Sequence, residues 1–426
     1  MRSKTFKDSL VIGLALFSMF FGAGNLIFPP FLGFLVGDQV GLALFGFLAT
    51  GIGLPLLGII ACARIDGSFE AMGARVGKVF TVGGMIILTM IIGPLIAVPR
   101  TASTAYELGI STLLPSASST VVALIYFAIA LAFVLKPSTV IDTIGKILTP
   151  ILLFVLIAII TKGIFFPIGN PVATGFEDPI IYGLTEGYNT MDALASVIFA
   201  TIILSAVKSK GYRDSKSTSK IMTYAAIIAS LGLAVVYGGL MILGTQVSGL
   251  DGISFSRIDL VIHLANEIFG TFGVALLSLV TLLACLTTAI ALLTTSSGYF
   301  TKLFNNRISY HYVAIMLTMI SFFMASHEVD RIVEIAAPML DIIYPVVIVM
   351  IILTLLNNWV KDDFVFKGVV YGTLAFSLFT TKSSIFALNS INQILSFIPL
   401  QNHGFGWIPV SFIIFLSITF WHKIKK

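Results

Sequence analysis

Ser18-Met-Phe-Phe-Gly-Ala-Gly-Asn-Leu-Ile-Phe-Pro-Pro30 interrupts the first long apolar run of this chain. Gly22, Gly24, Pro29 and Pro30 each oppose regular helix, through backbone entropy or a missing N–H. A break inside a membrane span leaves N–H and C=O groups unpaired, at several kcal/mol each in lipid. Such a break persists where protein, an ion or a polar solute satisfies those groups. Secondary transporters build midplane sites in this way. The plainer alternative is a kinked helix packed closely on a neighbour through its small residues. The rest of the chain decides between the two.

Of 426 residues, 57% are hydrophobic and only 11% are charged, and the mean hydropathy is +1.03. Soluble domains carry about 25% charged residues, so this is a polytopic membrane protein lying in a lipid bilayer. Cys62 and Cys285 are far apart in apolar runs, without metal-ligand spacing or a disulfide framework. The basic start (Arg2, Lys4, Lys7) runs into a span too long for a signal peptide, which predicts a retained first helix. The net charge of +5 gives no nucleic-acid signal, because the basic residues fall between spans.

Apolar runs of about 20 residues predict about twelve helices, at 8–36, 39–63, 78–108, 118–135, 139–162, 180–208, 217–245, 268–301, 309–326, 331–357, 366–381 and 405–422. With the N-terminus in the cytoplasm, 20 of the 25 Lys and Arg fall on the cytoplasmic side. That bias predicts an even number of spans with both termini cytoplasmic. Residues 163–179, rich in Gly, Pro and Asn, read as an irregular external loop. Residues 257–268 are amphipathic and read as a surface helix, packed there or serving as a gate.

Ten of the spans divide into two sets of five, 8–162 and 180–357, with 366–422 supplying two additional helices. An odd number per set inverts the second copy, so span six should repeat the disturbance of span one. Glu186-Gly-Tyr-Asn-Thr-Met-Asp192 does so. A carboxylate within a span is costly and marks a functional site, unless Asp192 only caps a helix that starts later. Two breaks suit a zwitterion. Half-helix N-termini attract a carboxylate, and half-helix C-termini attract an ammonium group or a cation. Span eight adds Ala284-Cys-Leu-Thr-Thr-Ala-Ile-Ala291, then Thr294, Thr295, Ser296 and Ser297. Thr287 and Thr288 point about 100° apart on a helix, so both reach one ion only at the helix edge. Otherwise such hydroxyls bond the i−4 carbonyl or a neighbouring helix.

Residues 20–30 and 187–195 (Gly-Tyr-Asn-Thr-Met-Asp-Ala-Leu-Ala) resemble the bacterial branched-chain amino acid:cation symporters of the BrnQ type, over essentially the whole chain. That family is placed within the leucine-transporter-fold group. Gly22-Ala-Gly-Asn25 resembles the unwound Gly-x-Gly-Asn of the neurotransmitter:sodium symporters. Residues 284–291 resemble their span-eight Ala-Gly-Leu-Thr-Ser-Ser-Ile-Ala. The resemblance implies an all-α fold, a five-plus-five inverted repeat with helices 1 and 6 broken, and two C-terminal helices. It implies a Na⁺ site made by the carbonyls of Ser18, Phe21 and Ala284 with the hydroxyls of Thr287 and Thr288. The chain departs from the wider pattern in span seven, which has no asparagine for a second sodium site, and at Asp192, where those relatives are neutral.

The expected function is import of leucine, isoleucine and valine across the bacterial cytoplasmic membrane by alternating access, driven by Na⁺. The substrate carboxylate is expected on the amides of Gly22, Ala23, Gly24 and Asn25. The ammonium group is expected on the carbonyls and side chains near Thr190, Met191 and Asp192. The three side chains differ by about 1–3 kcal/mol in an apolar pocket, so one carrier should take all three. The alternatives are the same fold with H⁺ as the coupling ion, carried by Asp192, or with another neutral amino acid as substrate, and a channel lined by span-eight hydroxyls. No Walker sequence is present. His327-Glu328-x-Asp330 lacks the spacing of an enzymatic zinc site and reads as a solvated loop. Arg100 is expected to line the external path or snorkel to the surface, and Glu334 and Asp341, on one face of span ten, are expected to pair with Arg100 or Arg331 in an external gate. Asp142 and Lys146 are expected to pair on the surface.

Overall fold

The computed structural model describes residues 2–65, 67, 69–136, 144–250, 255–326, 329–357, 359–360, 362–385, 393 and 395–425. Asp142, and with it the pair to Lys146, lies outside them, as do His327 and Glu328. Every regular element among the described residues is helical.

Span one is two helices, α1 (Arg2–Phe20) and α2 (Ala23–Val36), separated at Phe21 and Gly22. Gly24, Pro29 and Pro30 do not contribute to this break as expected, for α2 runs through all three. Span two is α3 (Val40–Leu48) and α4 (Leu54–Arg64), joined by a π turn at Ala49–Gly53. After a short α5 (Phe69–Gly73), span three is α6 (Lys78–Met90) and α7 (Ala97–Thr104), bent at Gly93 and Pro94. Span four is α8 (Ser119–Val134), and span five is α9 (Thr149–Phe165). The irregular loop follows over residues 166–178.

Span six is again two helices, α10 (Pro179–Asn189) and α11 (Asp192–Ser209). Span seven is the unbroken α12 (Ser215–Thr245), and the amphipathic stretch is a helix, α13 (Arg257–Phe269). Then come α14 (Thr271–Leu303), α15 (Tyr310–Met324), α16 (Val329–Leu355), α17 (Asp363–Ile385) and α18 (Trp407–Lys425). Among the described residues, eight helices or merged helix pairs have the length and composition of membrane spans, and three shorter apolar helices accompany them.

The two broken spans lie in one bundle. α1 and α2 pack along α12, α3 packs on α10, and α4 packs on α11. Small residues allow this closeness. A Cβ at Gly46 would strike the Ile180 carbonyl, and one at Gly183 would strike the Ala43 carbonyl. One at Gly33 would strike the Met241 carbonyl, and one at Gly244 the Pro30 carbonyl. α14 packs against α7, α8 and α15 beside this bundle and also meets α1 and α11. Span eight thereby faces the first break. α17 and α18 pack on one another, and α17 packs on α16.

Candidate functional site

The end of α1, the two breaks and the starts of α2 and α11 enclose a small cavity with α7 and α14, lined partly by polar and partly by apolar groups. Its volume is about 20 Å³, which is room for about one water. A larger void of about 500 Å³ lies between Leu54, Ile348, Val349, Trp407 and Phe412, but its lining is almost entirely apolar. The small cavity lies at the two breaks, so it is the candidate site.

At the first break, the carbonyls ending α1 meet span eight. Thr287 Oγ1 donates to Ser18 O and Ala284 O, both at 3.0 Å, as alternative acceptors for one hydroxyl proton. Thr288 Oγ1 donates to Met19 O at 3.0 Å and lies 3.4 Å from Ser18 O. Ser18 Oγ donates to Thr287 Oγ1 at 3.0 Å. Of the residues read as an ion site, Ser18, Ala284, Thr287 and Thr288 therefore form one oxygen cluster. Met19 joins it without having been foreseen. The Phe21 carbonyl, also expected there, takes part in none of these bonds, and the Phe21 ring stacks on Phe17 and Tyr237. The absence of a side chain at Gly22 is required by this contact, because a Cβ there would lie 2.9 Å from Thr288 Oγ1. All these oxygens are neutral and hard, a donor set suited to a small monovalent cation.

Directly beyond the break, α2 begins with Gly22 as its cap and no side-chain acceptor on its first turn. Gly22, Ala23 and Asn25 line the cavity, so the free N–H end of a helix lies beside it. Gly24 is close by, where a Cβ would approach Phe28 at 2.7 Å and Arg100 Nη2 at 3.1 Å.

The second break falls at Thr190 and Met191. Met191 adopts φ 66°, a left-handed conformation that costs a side-chain-bearing residue on the order of 1–3 kcal/mol. The turn aims Asp192 into the cavity. Its Oδ2 accepts from Asn25 Nδ2 at 2.6 Å and from the Tyr237 hydroxyl at 3.2 Å, and Asn25 also contacts that hydroxyl. Asn25 thus joins the two broken spans, although it was expected to serve through its amide alone. Tyr237 was missed. Its one signal in the sequence is a phenol in the middle of a long apolar span, where buried tyrosine hydroxyls take a partner.

The carbonyls ending α10 are not open to an ammonium group as expected. Gly187 O accepts from Thr190 Oγ1 at 2.8 Å, and Tyr188 O accepts from the Tyr344 hydroxyl at 2.5 Å. Asn189 O and Thr190 O accept from Arg100 Nη1 and Nη2, at 3.1 and 3.4 Å. Arg100 is only 3% exposed. It therefore neither snorkels nor pairs with span ten, because the bend at Gly93 and Pro94 turns α7 into the bundle. Glu334 pairs with Arg331, the other partner expected for it, on an exposed turn of α16 at 3.0 Å. Asp341 lines a separate cavity with Tyr344 and His403.

Both ends of the site are tied. At one end Arg257 of α13 pairs with the buried Glu186 of α10 at 3.1 Å and lies over the rings of Phe28 and Phe31. At the other, Asp8 of α1 accepts from the Tyr212 hydroxyl at 2.9 Å and faces Lys210 Nζ at 3.6 Å.

Two discontinuous helices around one polar cavity, in a bundle with span eight closing an oxygen cluster, define a membrane transporter of the leucine-transporter fold. Solved structures agree on the fold. A mutant of the Eremococcus coleocola manganese transporter matches with TM-score 0.60 at 13% identity, covering 97% of this chain and 95% of that one. Mhp1, a nucleobase-cation-symport-1 family transporter in a closed conformation with bromovinylhydantoin bound, matches with TM-score 0.62 at 13% identity, covering 97% and 92%. The family described as Branched-chain amino acid transport protein matches residues 5–425. Branched-chain amino acid permease BraB of Bacillus subtilis is 37% identical over 412 residues, 94% of this chain and 92% of that protein. The Branched-chain amino acid transport system 2 carrier protein of Pseudomonas aeruginosa is 33% identical over 422 residues, 97% and 95% respectively. The chain belongs to the branched-chain amino acid transport protein family, and it is a branched-chain amino acid transporter.

Proposed function

We propose that the chain is a Na⁺-coupled symporter that imports leucine, isoleucine and valine across the bacterial cytoplasmic membrane, with both termini cytoplasmic. The observation that carries Na⁺ is the cluster of Ser18 O, Met19 O, Ala284 O, Thr287 Oγ1 and Thr288 Oγ1. Na⁺ seated there ties α1 to α14. The substrate carboxylate lies on the N–H end of α2, next to the ion. Its ammonium group meets Asp192, and its side chain lies among Phe20, Ile92, Phe199 and Leu292, which line the same cavity. One positive charge crossing with each substrate gains about 2.3 kcal/mol per 100 mV, enough to concentrate a neutral solute many-fold.

The test is uptake of labelled leucine into proteoliposomes under an inward Na⁺ gradient, against an equal choline gradient. Accumulation only with Na⁺ supports the reading. A second reading, H⁺ coupling, is favoured by one observation, the Asp192 carboxyl held by Asn25 and Tyr237 inside the cavity. Accumulation that ignores Na⁺ and follows a pH gradient selects it.

A further inference from the structure

The two breaks are finished differently. At the end of α1, neutral hydroxyls from Thr287 and Thr288 meet the carbonyls of Ser18 and Met19. At the end of α10, a guanidinium meets the carbonyls of Asn189 and Thr190. A half-helix C-terminus carries about half a negative charge, and in a membrane its carbonyls need a partner. A mobile cation serves only while it is bound. A guanidinium on α7 serves throughout the cycle, and its planar fork matches two adjacent oxygens.

The charge around the cavity points the same way. Among the described residues, Arg100 and Asp192 are the only ionisable ones lining it, so with Asp192 ionised its fixed charges cancel. A zwitterion with one Na⁺ then makes the loaded site singly positive. A second cation would double that charge in a medium where charge is costly, and at the broken end of α10 the carbonyls of Asn189 and Thr190 already face the positive charge of Arg100. Arg100 also leans over the Phe28 ring, 5.7 Å from its centroid, and its Nε has no hydrogen-bond partner among the described residues. The head group is thus held from α10 and α2 together, across the gap that separates the two half-helices.

We propose that Arg100 is a fixed internal cation that holds the broken end of α10 in place of a second transported ion, so that a single cation accompanies each substrate. The inference rests on the symport reading above, with one arm of its test independent of transport. Arg100 is a positioning residue. Arg100→Ala opens a guanidinium-sized gap against two carbonyls.

In the transport-independent arm, the purified variant is heated with increasing millimolar guanidinium chloride, with choline chloride as control. A saturable rise in melting temperature is expected for Arg100→Ala and none for the unaltered protein. In the transport arm, proteoliposomes give the charge moved per labelled leucine. About one elementary charge per leucine is expected for the unaltered protein. Arg100→Lys should keep that ratio at a reduced rate. Arg100→Ala should lose at least about tenfold in rate and recover with guanidinium.

Two charges per leucine in the unaltered protein would overturn the proposal, as would an Arg100→Ala protein that guanidinium neither stabilises nor restores. If Arg100→Ala does not fold, Arg100→Gln is heated in the same way, and the unaltered protein's charge ratio still decides. Saturable stabilisation without any leucine uptake by the unaltered protein would overturn the symport reading while leaving Arg100 as the cap of α10.

Discussion

Thr288→Ala tests the oxygen cluster most directly. Thr288 Oγ1 gives Met19 O its 3.0 Å bond and is one of the oxygens offered to Na⁺. The substitution removes a ligand and leaves a buried carbonyl without its donor, a cost of about 1–3 kcal/mol. If that falls on the ion-bound state, it becomes a rise of roughly 5–150-fold in the Na⁺ concentration for half-maximal leucine uptake. Thr288→Ser keeps the hydroxyl and loses one methyl, worth about 0.8 kcal/mol, so its shift should stay within roughly fourfold. Thr287→Ala should cost at least as much as Thr288→Ala, because Thr287 Oγ1 contacts Ser18 O, Ala284 O and Ser18 Oγ. The assay is initial uptake in proteoliposomes over a Na⁺ series at fixed ionic strength. At saturating Na⁺ the apparent leucine affinity of Thr288→Ala should return toward the unaltered value. Thr288 also lines the cavity, so an unchanged Na⁺ dependence with a weakened leucine affinity would place its hydroxyl on the substrate and refute the ion-site argument.

Three further outcomes follow from the same geometry. Asp192→Asn keeps the shape and removes the charge facing the substrate ammonium; leucine binding measured by scintillation proximity should weaken by about 2–5 kcal/mol, and retention of normal affinity would move the ammonium elsewhere. Glu186→Gln releases Arg257 of α13 from α10; with Ala97→Cys in the cavity wall, an impermeant maleimide added outside should then react faster, whereas an unchanged rate would leave the pair without a gating role. Gly183→Val drives a side chain into the Ala43 carbonyl where α10 packs on α3; a loss of about 1–3 kcal/mol in stability should appear as a lowered melting temperature, and an unaltered one would contradict that packing.

The membrane class, both broken spans and the paired hydroxyls of span eight were legible in the sequence, because each rests on a local signal, whereas Ser18, Phe21 and Ala284 were named only through the family resemblance. Gly22 stands where Thr288 leaves no room, Asp192 is a bare carboxylate in an apolar run, and Thr287 with Thr288 is a paired hydroxyl. Pro29 and Pro30 misled, since α2 absorbs both and the chain parts earlier, at Phe21 and Gly22. Arg100 was legible as an oddity but not as a partner of α10. Its destination depends on the bend at Gly93 and Pro94, which no periodicity in that span announces. Tyr237 was invisible for a related reason. A single tyrosine at span centre gives no pattern, and its role appears only when α12 lies beside both breaks.

A cavity of about 20 Å³ does not hold a leucine side chain, so the proposed binding there requires the half-helices to separate. The ties around the site say where. Arg257 joins α13 to α10 at one end, and Asp8 joins α1 to the Lys210–Tyr212 segment that follows α11 at the other. Each tie links a half-helix of a broken span to a different element, and the two ties share none. One end can therefore open while the other stays shut. At the centre, Asn25 and Asp192 bind α2 to α11, the half-helices that begin just after each break. Tilting α1 and α11 outward at one end works against this bond and against Thr288 on Met19. On the proposed reading, an ion at the oxygen cluster would replace the second contact with a tighter link between α1 and α14, and an ammonium group at Asp192 would compete for the first. Cation and substrate would then each bind one state of the same hinge more tightly than the other, which is what the proposed symport requires of them.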